Sequence, residues 1–148
     1  MKIFVTGANG FIGKNFVNYA SELGHKIYAV SRKKSPHIKN RNIKFLKGKF
    51  YEGFRKELKE SNVLIHFAST GVIQKKSLDT NLDINLFKSE KFLNNAIRAG
   101  CMNWLIISSS SEYGHTLLNG LPVNKNSLTL PNTNYGISKN LFFCHNIF

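Results

Sequence analysis

A chain of 148 residues with 42% hydrophobic and 12% aromatic content can bury a core, since a domain this size hides roughly 70% of the surface its unfolded chain exposes; one globular domain over residues 1–148 is expected. No apolar run approaches the ~20 residues that span a bilayer, and the N-terminus lacks the order of a signal peptide, so a cytoplasmic location without membrane contact is expected. The formal net charge of +13 invites a nucleic-acid partner, but the basic residues are spread diffusely between Lys26 and Lys59 and no nucleic-acid motif organises them, so that partner is not favoured.

Strand-like runs recur at Lys2–Val5, Lys26–Val30, Ile43–Leu46, Val63–Phe67 and Trp104–Ile107, with helical patterns filling most of the gaps. That alternation predicts an α/β fold. After the first run comes Thr6-Gly7-Ala8-Asn9-Gly10-Phe11-Ile12-Gly13, which opens an amphipathic stretch and reads as a strand-turn-helix junction around a dinucleotide pyrophosphate. Gly7 permits the tight turn, Gly10 the approach of the cofactor to the main chain, and Gly13 the packing of helix on sheet. Thr6, Gly7, Asn9, Gly10, Phe11, Ile12 and Gly13 are therefore candidate cofactor contacts.

The first helix is expected to bury Phe11, Ile12, Phe16, Val17, Ala20 and Leu23 and to stop at Gly24. The run from Ser31 to Asn42 is polar and basic and reads as a loop. A long helix over 80–99 places Leu82, Leu86, Phe87, Phe92, Leu93, Ala96 and Ile97 on one broad face and ends at Gly100. The stretch from Gly114 to Asn134 is a weakly periodic connector with Pro122 and Pro131, of a length often functional in compact domains. Cys101 and Cys144 lie far apart without a CxxC or histidine pattern, so neither zinc nor a disulfide framework is indicated, and both are read as buried thiols. His66 reads as a strand histidine and His115 as a loop residue, with no metal site expected.

Tyr135 precedes Lys139 by four positions, which on a helix sets the two side chains one above the other. An ammonium near a phenol favours the phenolate, as proton exchange near neutrality requires; the bland alternative is a surface tyrosine beside a solvated lysine. Ser109, after the strand ending at Ile107, is a candidate third member, with a turn or helix-cap serine as its alternative.

Together these residues resemble the extended branch of the short-chain dehydrogenase/reductase superfamily, the NAD(P)-dependent epimerases, dehydratases and nucleotide-sugar reductases. Thr6 to Gly13 fits TGxxGxxG, Val63 to Ser69 resembles the fourth strand ending beside the nicotinamide, and Asn85 the asparagine of the fourth helix. Ser108 to Gly114 resembles the active-site serine strand, and Tyr135 to Lys139 the catalytic YxxxK. The resemblance implies a Rossmann-type doubly wound parallel sheet of five strands in the order 3-2-1-4-5. It also implies Phe67, Ala68 and Ser69 as cofactor contacts, Tyr135 as acid/base, and Lys139 as its tuning partner and ribose contact. Ser109 would polarise the substrate oxygen, and Asn85 would act indirectly.

A nucleotide-activated sugar is the implied substrate, and pairing of the 80–99 and 135–144 helices in a homodimer the implied assembly. At the end of the second strand, Ser31 and Arg32 followed by Lys33 and Lys34 stand where an NAD site usually carries a carboxylate; they suit a 2′-phosphate, so NADP(H) is favoured over NAD(H), unless the run is only a solvated basic loop. Lys49 stands at the family's adenine-side aspartate, and Ser110 and Ser111 where dehydratases carry an Asp-Glu pair. Keto-sugar reduction or epimerisation by hydride transfer therefore fits better than dehydration, while Glu112 reads as structural. Extended members are longer, so the chain reads as lacking the C-terminal strands and the substrate domain. The alternatives are a truncated, non-catalytic dinucleotide-binding remnant and, less favoured, a basic nucleic-acid-binding protein.

Overall fold

Short apolar segments rich in Ile, Val and Phe form five strands, β1 (Lys2–Thr6), β2 (Lys26–Ser31), β3 (Ile43–Lys47), β4 (Val63–His66) and β5 (Trp104–Ile106). All pairings are parallel and the order is β3-β2-β1-β4-β5, as expected, in a computed structural model that describes residues 1–33, 40–120 and 122–146. Lys34 and the middle of the basic run after Ser31 lie outside the described residues. Helices α1 (Phe11–Glu22), α2 (Arg55–Glu60), α3 (Leu78–Asn81), α4 (Ser89–Arg98) and α5 (Asn134–Asn146) complete the regular structure, with a π-helical stretch over Leu82–Lys88 and 3₁₀ turns at Ser110–Glu112 and Gly114–Asn119.

The chain divides into two compact units. The first, Met1–Ala68 with Lys91–Ile107, holds the whole sheet. Alternation along β1 sends Ile3 and Val5 into a cluster with Val17 and Ala20 of α1, Ile27, Ala29 and Ile65. Phe4 turns the other way and meets Phe92, which also packs edge-on against Phe50 at 5.6 Å. In α1 the buried residues are Gly13, Val17, Ala20 and Ser21, whereas Phe11, Ile12 and Leu23 are exposed, contrary to expectation. The close contact selects the stripe of small residues, and the three large side chains stand off it. Helix α1 ends as expected at Gly24, through His25 N–H to the Ala20 carbonyl and Gly24 N–H to that of Ser21.

The second unit, Ser69–Glu90 with Ser108–Phe148, contains α3, the π-helical stretch and α5. Phe87, expected on the buried face of its helix, is 59% exposed. The wider π-helical turn shifts the residues after it around the axis, and the Ser89 hydroxyl follows that geometry by donating to the Ile84 carbonyl at 3.0 Å. Cys101 is buried as expected, but Cys144 is exposed, standing off the buried positions Ser138, Lys139 and Phe142 of α5. The connector after Gly114 is tied down where His115 N–H meets the Leu130 carbonyl and the Thr116 hydroxyl that of Leu128.

Candidate functional site

In the first unit the candidate cofactor contacts gather at the carboxyl ends of β1, β2 and β4. Gly7 has φ +65°, and a Cβ on it would lie 2.7 Å from the Ala68 backbone nitrogen and 2.9 Å from the Phe67 carbonyl carbon. A Cβ on Gly13 would fall 2.2 Å from the Gly7 carbonyl oxygen. The turn is thus packed to a clearance only glycine allows. Gly10 caps α1 through its backbone alone, and the first turn of the helix carries no acidic residue. An uncapped helix N-terminus with open N–H groups and no competing carboxylate is suited to a pyrophosphate.

The hydroxyl of Thr6 is buried and joined to His66 Nδ1 at 2.8 Å, and it accepts from the Ala68 N–H at 3.2 Å. One side chain therefore ties the end of β1 to the residues leaving β4. Phe67 packs on Phe16 with ring centroids 5.6 Å apart, and His66 stands edge-on to Phe50 at 4.8 Å. Asn9 donates to the Lys33 carbonyl at 3.3 Å, which joins the glycine turn to the segment after β2. Phe11, Ile12 and Arg32 are exposed and Ser31 is half-buried. The structure brings these residues to one end of the sheet.

In the second unit, Tyr135 and Lys139 lie one turn apart on α5. The N-terminal turn of α5 closes on the 3₁₀ turn after Ser109, because Gly136 lies so near the Ser111 carbonyl oxygen that a Cβ would stand 2.3 Å from it. Lys139 is 5% exposed, and burial lowers its ammonium to about 8, partly opposed by the negative charge of Glu112. Its Nζ also lies 5.4 Å from the centre of the Phe143 ring. Tyr135 remains half-buried.

Ser109 caps the 3₁₀ turn by accepting from the Ser111 N–H at 3.2 Å, so its turn-cap role is real. Glu112, 5% exposed, completes the capping box by accepting from the Ser109 N–H at 3.2 Å and from the Ser108 hydroxyl at 2.7 Å.

Asn85 is buried in the π-helical stretch. Its Oδ1 accepts from the Thr70 N–H at 2.8 Å, while its Nδ2 donates to the Thr70 carbonyl, to Asn81 Oδ1 and to the Ser138 hydroxyl at 3.0, 3.2 and 3.0 Å. It fixes the segment after Ser69 and the turn of α5 next to Lys139. Ser69 itself is exposed. Asn81 and Ser138 are residues of this arrangement that sequence reasoning did not assign, while Glu112, read as structural, closes the serine turn. The position of Ser138 inside the Tyr135–Lys139 motif and the Ser-x-x-Glu spacing of Ser109 and Glu112 were the signals available. Among the described residues no buried side-chain polar atom lacks a partner, and no group of His, Cys, Asp and Glu could hold a metal ion.

A cavity of about 340 Å³ in the second unit is lined by Leu86, Phe87, Glu90, Leu141 and Cys144. No candidate catalytic residue lines it, so this apolar groove lies apart from the acid/base residues. No described helix is long and apolar enough to cross a membrane.

Comparison with known proteins gives the fold a lineage. The dTDP-6-deoxy-L-talose 4-dehydrogenase (NAD(+)) of Aggregatibacter actinomycetemcomitans is 27% identical over 146 residues, covering 95% of this chain and 52% of that enzyme. Among solved structures, a short-chain dehydrogenase/reductase superfamily protein from Agrobacterium tumefaciens with bound NAD superposes with a TM-score of 0.79 at 21% identity, over 97% of this chain and 43% of that one. The UDP-glucuronic acid 4-epimerase of Bacillus cereus in complex with NAD gives a TM-score of 0.79 at 22% identity, over 98% and 52%. The chain therefore spans about half the length of the relatives it matches. Residues 3–143 match the profile of the NAD dependent epimerase/dehydratase family, and with the sheet order and glycine turn described above, the chain belongs to that family.

Proposed function

We propose that this chain carries the dinucleotide-binding and acid/base residues of an NAD(P)-dependent enzyme that reduces or epimerises a nucleotide-activated sugar by hydride transfer. The observation that carries the reading is the docking of α5 on the Ser109 turn through Gly136, with Tyr135 and a buried Lys139 one turn apart on that helix.

Thr6, Gly7, Asn9, Gly10, Phe11, Ile12 and Gly13 hold the dinucleotide, its pyrophosphate at the open N-terminus of α1, and Phe67, Ala68 and Ser69 border its nicotinamide end. When bound, the dinucleotide supplies or accepts a hydride. Tyr135 donates a proton to the substrate oxygen on reduction and removes it on oxidation, and Ser109 hydrogen-bonds the same oxygen. Lys139 places positive charge one turn from Tyr135 and contacts the ribose. Asn85 acts through Thr70 and Ser138 to hold the lysine's turn of helix. The relatives named above have NAD in their names, whereas in this chain Ser31 and the exposed Arg32 replace the usual ribose-binding carboxylate; that substitution supports a preference for NADP(H).

The test is hydride transfer to nucleotide-activated keto-sugars by the chain and its Tyr135→Phe variant. Tyr135→Phe is expected to lower turnover about 10²–10⁴-fold with cofactor affinity unchanged. Equal turnover in the two proteins overturns the role of Tyr135, and tighter binding of NADH than of NADPH overturns the cofactor preference.

A further inference from the structure

Glu112 has no role in the chemistry above, yet its surroundings are not those of a surface carboxylate. The side chain is 5% exposed, and one oxygen, Oε1, takes both the Ser108 hydroxyl at 2.7 Å and the Ser109 N–H at 3.2 Å. The turn it closes is the one against which α5 packs, with Gly136 over the Ser111 carbonyl. A buried carboxylate is expensive unless hydrogen-bonded and offset by positive charge. Two hydrogen bonds meet the first need, and the ammonium of Lys139, itself buried, meets the second.

We propose that Glu112 is a positioning residue that acts on two of the proposed catalytic groups together, gripping the backbone of Ser109 and setting its negative charge against the buried ammonium of Lys139. The inference rests on the assignment of Ser109, Tyr135 and Lys139 made above. The elements packed on α5 carry few other charges that could do this. Among the described residues, Asp79 in α3 is exposed, Asp83 in the π-helical stretch is exposed and paired with Lys88, Glu90 of α4 lines the groove beside Leu141 and Cys144, and α5 itself offers Tyr135 and the exposed Cys144. Of these groups, Glu112 is the one whose charge raises the ammonium of Lys139 against the pull of burial. Without that charge the lysine would shed its proton at lower pH, and the positive neighbour of Tyr135 would be lost.

Two substitutions in the full chain separate the two actions. Glu112→Gln keeps an acceptor for Ser108 and Ser109 but removes the charge, and Glu112→Leu removes both. Titration of the Lys139 resonance in protein with isotope-labelled lysine is expected to show its midpoint falling by about one pH unit in Glu112→Gln, with exchange of the Ser109 amide unchanged. In Glu112→Leu the Ser109 amide is expected to exchange at least about tenfold faster. Should either variant fail to fold, Glu112→Asp keeps the charge on a shorter arm and is expected to hold the Lys139 midpoint near that of the parent while loosening Ser109. An unmoved Lys139 midpoint in Glu112→Gln, or a fall in Glu112→Asp as large as loss of the charge would give, overturns the electrostatic role. Unchanged Ser109 exchange in Glu112→Leu, or in Glu112→Asp if that variant stands in, overturns the positioning role. Neither readout needs a substrate, so a chain that transfers no hydride but shows both effects sinks the proposed reaction alone.

Discussion

Gly7 concentrates two demands on one residue, a left-handed backbone at φ +65° and main-chain neighbours within 3.0 Å of where a Cβ would stand. The atoms it would strike belong to the backbone of Phe67 and Ala68, which cannot swing aside as a side chain can. Gly7→Ala is expected to cost about 2–4 kcal/mol, from the conformational penalty and the overpacking together, and to weaken dinucleotide binding as the turn shifts. Urea denaturation and a cofactor titration check both, and a variant with parental stability would mean that the turn relaxes freely. Thr6 works on the same contact from another side, since its hydroxyl receives the Ala68 N–H that Gly7 leaves room for.

Helix α5 buries a cation, and that burial has a pH signature. The ammonium of Lys139 loses its proton near 8 in the folded protein, against 10.5 ordinarily, so burial destabilises the fold in full below pH 8. As pH rises from about 8 toward 10.5 the folded state gives up the proton first and gains stability relative to the unfolded chain. Tyr28 works in the opposite sense higher up. Its hydrogen bond to the Glu60 carboxylate pushes the phenol up to about 12, so its contribution is complete below 10 and is lost between 10 and about 12. The expected result is a gain of about 2 kcal/mol between pH 7.5 and 10, read from urea midpoints and absent in Lys139→Met.

Elements also show where sequence reading reaches its limit. The five strands and their order were legible because each is a short apolar run between helical segments, and parallel strands need such crossovers. The contact face of α1 was legible at Gly13, Val17 and Ala20 but not at Phe11, Ile12 and Leu23, because hydrophobic period marks the greasiest side while the close contact is made by smaller residues. Nor was the π-helical stretch, whose wider turn leaves no mark in a 3.6-residue pattern and which turns Phe87 outward. At the candidate site, Tyr135 and Lys139 could be paired from their spacing, but the burial of Glu112 depends on a helix that arrives much later in the chain.

For the molecule as a whole, charge and apolar surface pull in opposite directions. Phe87 and Leu141 line an apolar groove and are 59% and 43% exposed, in the two helical segments the family resemblance assigns to a homodimer, while a net charge of +13 makes copies repel. Self-association through this groove is therefore expected to tighten with salt and to be lost in Phe87→Glu, as sedimentation at low and high ionic strength would reveal. Salt-independent monomers would exclude it. A Cβ on Gly136 would stand 2.3 Å from the Ser111 carbonyl oxygen, and that closeness couples two parts of the candidate site. Because Gly136 sits next to Tyr135 and over the carbonyl of Ser111, any larger side chain there would move the phenol and the serine turn in the same stroke. Through this residue neither can be tuned alone, and only the walls around it leave room for independent change.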